Sequence, residues 1–399
     1  MRNRVTATVR RAGIVAFSTA LLVGSLAVVP AQADVRSRQW HLDAMKAEEI
    51  WQTARGDGVT VAVVDTGVED SLPNLRGRVL EGRNFSVQPG NAQVDPHNHG
   101  TRIAEMIAGT GDGDNNAFGL APGATILPLR VANGNDSPNA VSAERAFSSQ
   151  VSAAIRYAAD SQARVINVSM GSRASDEQLA QAVQYALSKG KLIFASVGNS
   201  GNVGNGVEYP AALPGVIGVA AINREVRATE ESQSGPQVDL AAPGEDMVSV
   251  CANGTDICTS HGTSDATALA SASAALVWSA HPDWTANQVL RVLINTAGGP
   301  KSGEKRSDYI GYGVVRPRIA LQNPGDPGPP DVSPLPELAA AASKARPGTS
   351  APRANAEKTS EGGDLLSQRN MPAAGIAAAI VAAAGVVTLV VRRRRGRPH

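Results

Sequence analysis

Three short segments, far apart in the chain, hold side chains that together can activate a hydroxyl: Val63-Val64-Asp65-Thr66-Gly67, His99-Gly100-Thr101 and His261-Gly262-Thr263-Ser264. The chemistry they suit is nucleophilic attack on a carbonyl. A serine supplies the nucleophile, an imidazole of near-neutral pKa takes its proton, and a carboxylate fixes the imidazole tautomer and stabilises the imidazolium. The chain order is Asp, His, Ser. Unrelated folds assemble this set in different orders, so the order separates this chain from the serine-first hydrolases, lipases and esterases among them.

Each side chain needs an element to hold it. Asp65 closes the β-branched run Val59-Thr60-Val61-Ala62-Val63-Val64, which suits a strand buried on both faces of a parallel sheet. A carboxylate at the carboxyl end of such a strand lies where open α/β sheets place their sites. His99 precedes Gly100-Thr101 and the apolar stretch around Ile103, Met106 and Ile107, which places it at a helix N-terminus. The other five histidines lack that setting: His41 lies upstream, His97 in a loop, His261 before the serine turn, His281 beside Pro282, and His399 at the end. Ser264 opens a helix of small residues running to residue 280, so backbone N–H groups and the positive end of the helix dipole face its oxygen. A fourth piece is the apolar run 192–197 that leads into Gly198-Asn199. The Asn199 amide is placed to donate to a developing oxyanion.

The motifs Asp-Thr-Gly, His-Gly-Thr, Gly-Asn and Gly-Thr-Ser, in this order and spacing, resemble those of the subtilisin-like serine proteases over roughly residues 40 to 320. Val165-Ile166-Asn167-Val168-Ser169-Met170-Gly171 is similar to the substrate-binding strand of that family. The resemblance implies a subtilisin-like three-layer α/β sandwich with a mostly parallel, doubly wound sheet. It also implies a peptide lying along residues 169–171, an acyl-enzyme on Ser264, and a side-chain pocket walled by 169–171 and 196–199. On that reading Asp65, His99 and Ser264 are catalytic and Asn199 serves the oxyanion, while Ser169, Met170, Gly171 and Gly198 bind substrate. Two positions depart from the family pattern: Asp265 follows the serine where Met is frequent, and Glu105 stands where glycine is usual. Within the family, the membrane-tethered layout described next resembles the mycosins, proteases associated with type VII secretion.

With 399 residues, 42% of them apolar, the chain can bury one large core, and a net charge of +1 excludes a nucleic-acid-scale basic field. Residues 1–33 read as a secretory signal: arginines precede an apolar stretch, and Ala31-Gln32-Ala33 has the small-x-small cleavage pattern. The two cysteines, Cys251 and Cys258, lie seven residues apart just before Ser264. Outside the cell such a pair is expected to form a disulfide, and with one nearby histidine it does not complete a zinc set. Asp112, Asp114 and Asn115 lack the spacing of a calcium loop, so neither metal nor cofactor is expected.

Residues 34–58 form a lead-in whose Trp40, Leu42 and Trp51 can pack on a core, and it leaves no room for a separable folding prodomain. The peptidase domain is expected over 59–322. Strands are expected near 59–65, 125–131, 164–169, 191–197 and 216–221, and helices near 100–109, 140–162, 175–189, 263–280 and 285–296. That alternation predicts parallel βαβ units. Residues 323–371, rich in Pro, Ala, Ser and Gly, read as a disordered linker. Residues 372–391 read as a transmembrane helix of about 28 Å, and the arginine-rich tail 392–399 is then cytoplasmic with the domain outside. The expected function is a single-pass, membrane-anchored extracytoplasmic endopeptidase. Its partners are then protein or peptide substrates and type VII secretion channel proteins, with no nucleic acid. The alternative is a structural component of a secretion complex whose proteolysis is dispensable.

Overall fold

The structure, a computed structural model, describes residues 35–113, 117–251 and 256–338. The chain enters through three short helices, α1 (Val35–Arg38), α2 (Trp40–Met45) and α3 (Ala47–Trp51), and then alternates strand and helix. The strands are β1 (Thr60–Asp65), β2 (Arg83–Asn84), β3 (Thr125–Arg130), β4 (Val165–Val168), β5 (Leu192–Ser196), β6 (Ile217–Ile222), β7 (Leu240–Pro243), β8 (Met247–Val250) and β9 (Ile257–Ser260). The remaining helices are α4 (His99–Ala108), α5 (Ala140–Asp160), α6 (Glu177–Ser188), α7 (Thr263–Ala280), α8 (Ala286–Thr296) and α9 (Pro317–Gln322). β1 to β7 form one sheet in the order β2-β3-β1-β4-β5-β6-β7, with every pairing parallel, while β8 and β9 form a separate antiparallel hairpin.

Strand periodicity sorts the core into two layers. Val61 and Val63 pack with Ile103 and Met106 of α4 and Leu269 and Leu276 of α7 on one face. Ala62 and Val64 pack with Val151 and Ile155 of α5 and Leu179 and Val183 of α6 on the other. This is the helix–sheet–helix sandwich expected of βαβ units. The helix α7 has no polar face because it needs none: residues 265–278 are all buried, as befits a helix enclosed by the sheet, α4, α8 and α9. Chain direction across the sheet reverses at β1, whose neighbours are β3 and β4. The carboxyl ends of β1, β4 and β5 therefore open side by side at the switch point where α/β sheets bind ligands.

Among the elements not legible from the periodicity are β7 and the hairpin β8–β9. β7 is Leu-Ala-Ala-Pro and lies at the sheet edge, where proline is tolerated. The hairpin β8–β9 carries the Cys251–Cys258 disulfide, with an S–S distance of 2.08 Å.

The expected linker needs a later start. Residues 323–338 lie on α8, where Thr285 Oγ1 and Asn287 Nδ2 each donate to the Pro330 carbonyl at 3.0 Å and Gln288 Nε2 donates to Gly328 at 3.0 Å. The Arg291 guanidinium donates to the carbonyls of Pro327, Pro329 and Val332, and Leu335 is buried in the main core. Proline takes away donors but leaves carbonyls, and α8 supplies the missing donors. The expected signal (1–33), the rest of the expected linker, the expected membrane segment and the basic tail lie outside the described residues. Among the described residues, no helix is long and apolar enough to cross a membrane.

Candidate active site

Asp65 ends β1 fully buried, and two donors converge on its Oδ1: the Thr66 N–H at 2.7 Å and His99 Nδ1 at 2.7 Å. Close approach of α4 makes the last contact possible. A Cβ at Gly100 would collide with the Gly67 carbonyl and stand 2.9 Å from Asp65 Cβ. Asp95, which the sequence motifs do not single out, holds both sides of this junction. Its Oδ1 accepts from the Thr66 hydroxyl at 2.7 Å, and its Oδ2 accepts from the Thr101 N–H and hydroxyl at 2.8 and 2.6 Å. A carboxylate that accepts from an N–H of the first turn of α4 also suits the helix dipole.

His99 is half-buried, and its pKa is raised above 6.5. Burial acts to lower it, but the charge of Asp65 and its hydrogen bond outweigh burial. Three of the four other described histidines sit in other surroundings, and His261 is exposed. His97 pairs with Asp136 at 3.0 Å, His281 stacks on Trp284, and His41 is buried with its pKa lowered to about 3 by desolvation first.

Ser264 sits in the first turn of α7, partly buried. Its Oγ donates to the Ser169 carbonyl at 2.8 Å, and its own carbonyl accepts from Ser169 Oγ at 3.1 Å. Behind them runs a buried polar chain: Asn167 Nδ2 donates to Ser169 Oγ at 2.9 Å, and Ser271 Oγ donates to Asn167 Oδ1 at 3.0 Å. No hydrogen bond joins His99 to Ser264 in this conformation. Asn199 is pinned by its oxygen, which accepts from the Thr263 N–H at 2.8 Å and the Thr263 hydroxyl at 3.0 Å. Its Nδ2 is thereby left as a donor beside the α7 N-terminus. Met170 packs on the second core layer, Gly171 is exposed at the free end of the β4 segment, and Gly198 is buried.

The two unusual acids are both buried. Glu105 Oε1 accepts from the Val250 N–H at 2.8 Å, linking α4 to β8, and burial raises its pKa to about 7. Neither Asp265 oxygen has a hydrogen-bond partner among the described residues. Burial raises the Asp265 pKa, opposed by Arg102 and His99. Among the described residues no three His, Cys, Asp or Glu side chains gather as a metal site, and Asp114 and Asn115 lie outside them.

Residues 56–313 match the subtilase family, peptidase group S8. The chain belongs to that family. This subtilase is 34% identical to thermitase of Thermoactinomyces vulgaris over 261 residues, which is 65% of this chain and 88% of thermitase. Its fold superimposes on MycP1 from Mycobacterium smegmatis with a TM-score of 0.66 at 29% identity, covering 75% of this chain and 88% of the other. With the MycP3 protease of a type VII (ESX-3) secretion system the TM-score is 0.62 at 32% identity, covering 70% and 87%. The chain is thus a subtilisin-like serine protease with mycosins among its structural neighbours.

Proposed function

We propose that this subtilase is a membrane-anchored endopeptidase of the cell envelope, acting in type VII secretion, in which Asp65, His99 and Ser264 form the catalytic triad. The observation that carries the chemistry is the 2.7 Å hydrogen bond from His99 Nδ1 to buried Asp65. With Nδ1 committed to the carboxylate, Nε2 is left free to accept a proton. Ser264 Oγ leaves the Ser169 carbonyl, rotates to His99 and attacks the scissile carbonyl once a peptide occupies the 169–171 edge. The Asn199 amide and the N-terminal N–H groups of α7 stabilise the oxyanion. His99 then protonates the leaving amine, and water resolves the acyl-enzyme by the same route. The membrane anchor at 372–391 restricts substrates to those that reach a tethered domain.

Labelling of the full-length protein by a fluorophosphonate tests this. We expect labelling of the wild type and its loss in both Ser264→Ala and His99→Ala. A folded wild type that takes no label would sink the hydrolytic reading. A second reading, a structural part of the secretion complex, is favoured by the Ser264 hydroxyl engaging Ser169 instead of His99. MycP1 is described as an essential component of the type VII (ESX-1) system. If this chain shares that role, membrane channel proteins co-purify with it equally well from wild type and Ser264→Ala.

A further inference from the structure

One carboxylate stands inside the expected substrate pocket with no assigned task. Residues 172 and 209 form an antiparallel bridge, Ser172 N–H to the Tyr209 carbonyl at 3.1 Å and Tyr209 N–H to the Ser172 carbonyl at 2.8 Å. This bridge brings Glu208 against the 169–171 segment. A Cβ at Gly171 would stand 2.5 Å from Glu208 Oε2, and a Cβ at Gly198 would stand 2.7 Å from its Cδ. The Glu208 carboxylate therefore lies between two glycines, one from each wall, against bare backbone. Gln233, fully buried, fixes it: Gln233 Nε2 donates to Oε1 at 2.8 Å and to Ser200 Oγ at 2.9 Å, and the Gln233 N–H donates to the Gly198 carbonyl at 3.0 Å. Oε2 accepts no hydrogen bond among the described residues. The nearest cation, Arg173, is exposed and donates to Ser200 Oγ at 3.3 Å without forming an ion pair with Glu208.

We propose that Glu208 is a specificity-determining residue, and that it selects substrates whose residue just before the cleaved bond is Lys or Arg. The proposal rests on the reading that a peptide lies along 169–171 and drops that side chain between 169–171 and 196–199. A half-satisfied carboxylate on the floor of such a slot rejects an apolar side chain, which would cover Oε2 without giving it a donor. An acidic side chain is rejected by charge. An ammonium or guanidinium supplies the missing donor as a charge-assisted hydrogen bond, about twice as strong as a neutral one. Burial raises the Glu208 pKa, with Gln233 and Arg173 opposing.

Peptide binding to full-length Ser264→Ala tests this without depending on the chemistry. The probes are blocked hexapeptides that differ only in carrying Lys, Arg, Leu or Glu before the scissile bond, with binding read by fluorescence anisotropy. The Lys and Arg peptides are expected to bind about 10- to 100-fold tighter than the Leu peptide. Glu208→Gln in the same background removes most of that ratio. A Leu peptide that binds as tightly, a ratio that survives Glu208→Gln, or no binding of any peptide overturns the proposal. Because no serine reacts in this variant, failure here is separable from absent fluorophosphonate labelling of the wild type, which counts against the hydrolytic reading alone.

Discussion

The pKa of His99 is raised chiefly through its contact with Asp65. Desolvation pulls that pKa down while the Asp65 charge and hydrogen bond raise it, and the net direction is upward from 6.5. Only the neutral imidazole can accept the Ser264 proton, so kcat/KM should rise with pH through a midpoint above 6.5. Asp65→Asn removes the two largest raising influences and leaves desolvation, with Arg102 lowering and Asp265 raising more weakly. It should move that acid limb below its wild-type position and lower kcat by about 10⁴-fold, since the imidazole also loses its tautomer control. A pH–rate profile of the two proteins checks this, and an unmoved acid limb in Asp65→Asn would separate Asp65 from His99. The local settings of Asp65, His99, Ser264 and Asn199 were legible because each is written in adjacent residues: a strand end, a glycine, a helix start. Asp95, Asn167, Ser271, Gln233 and Glu208 were not, because their partners lie elsewhere in the chain. A lone Asn within Val-Ile-Asn-Val was the one signal available, since a polar residue in a buried strand demands a partner.

Between elements, the clearest coupling is the Glu105 carboxylate spanning α4 and β8. The helix was legible from its apolar spacing. The hairpin was not, because its strands are only four residues each, although Asn253-Gly254 in the segment between them is a tight-turn signal. Burial holds Glu105 at a pKa of about 7 against an ordinary 4.5. A carboxyl raised in the folded state contributes stability that is fully present below pH 4.5 and lost as pH rises through about 7. The contribution is about 3 kcal/mol when the whole shift is expressed. Glu105→Gln keeps an oxygen to accept the Val250 N–H and removes the titration. It should melt close to wild type at pH 4.5 and clearly above it at pH 8, and a gap that does not change with pH would place the titrating group elsewhere. The same link touches function, because β8 and β9 carry the disulfide and lead directly into Ser264.

For the molecule as a whole, βαβ alternation foretold the layered sheet, since hydrophobic period and run length report burial directly. Composition misplaced the far boundary of the domain. A Pro- and Gly-rich segment reads as unable to bury a core, yet 323–338 need not build one, because it lends carbonyls to Arg291, Gln288 and Thr285 and inserts the single side chain Leu335. The strap lies on α8, which packs against α7, and α7 carries Ser264 at its start. Losing it should therefore loosen the domain core. Leu335→Ala in the full chain should cost about 2–5 kcal/mol of unfolding free energy, the range for emptying a buried leucine site. A chain ending at residue 338 should unfold in urea at the same midpoint as the full chain, whereas one ending at 322 should unfold at a lower midpoint. Equal midpoints for the 322 and 338 endings would show the strap to be dispensable and return the domain boundary to 322.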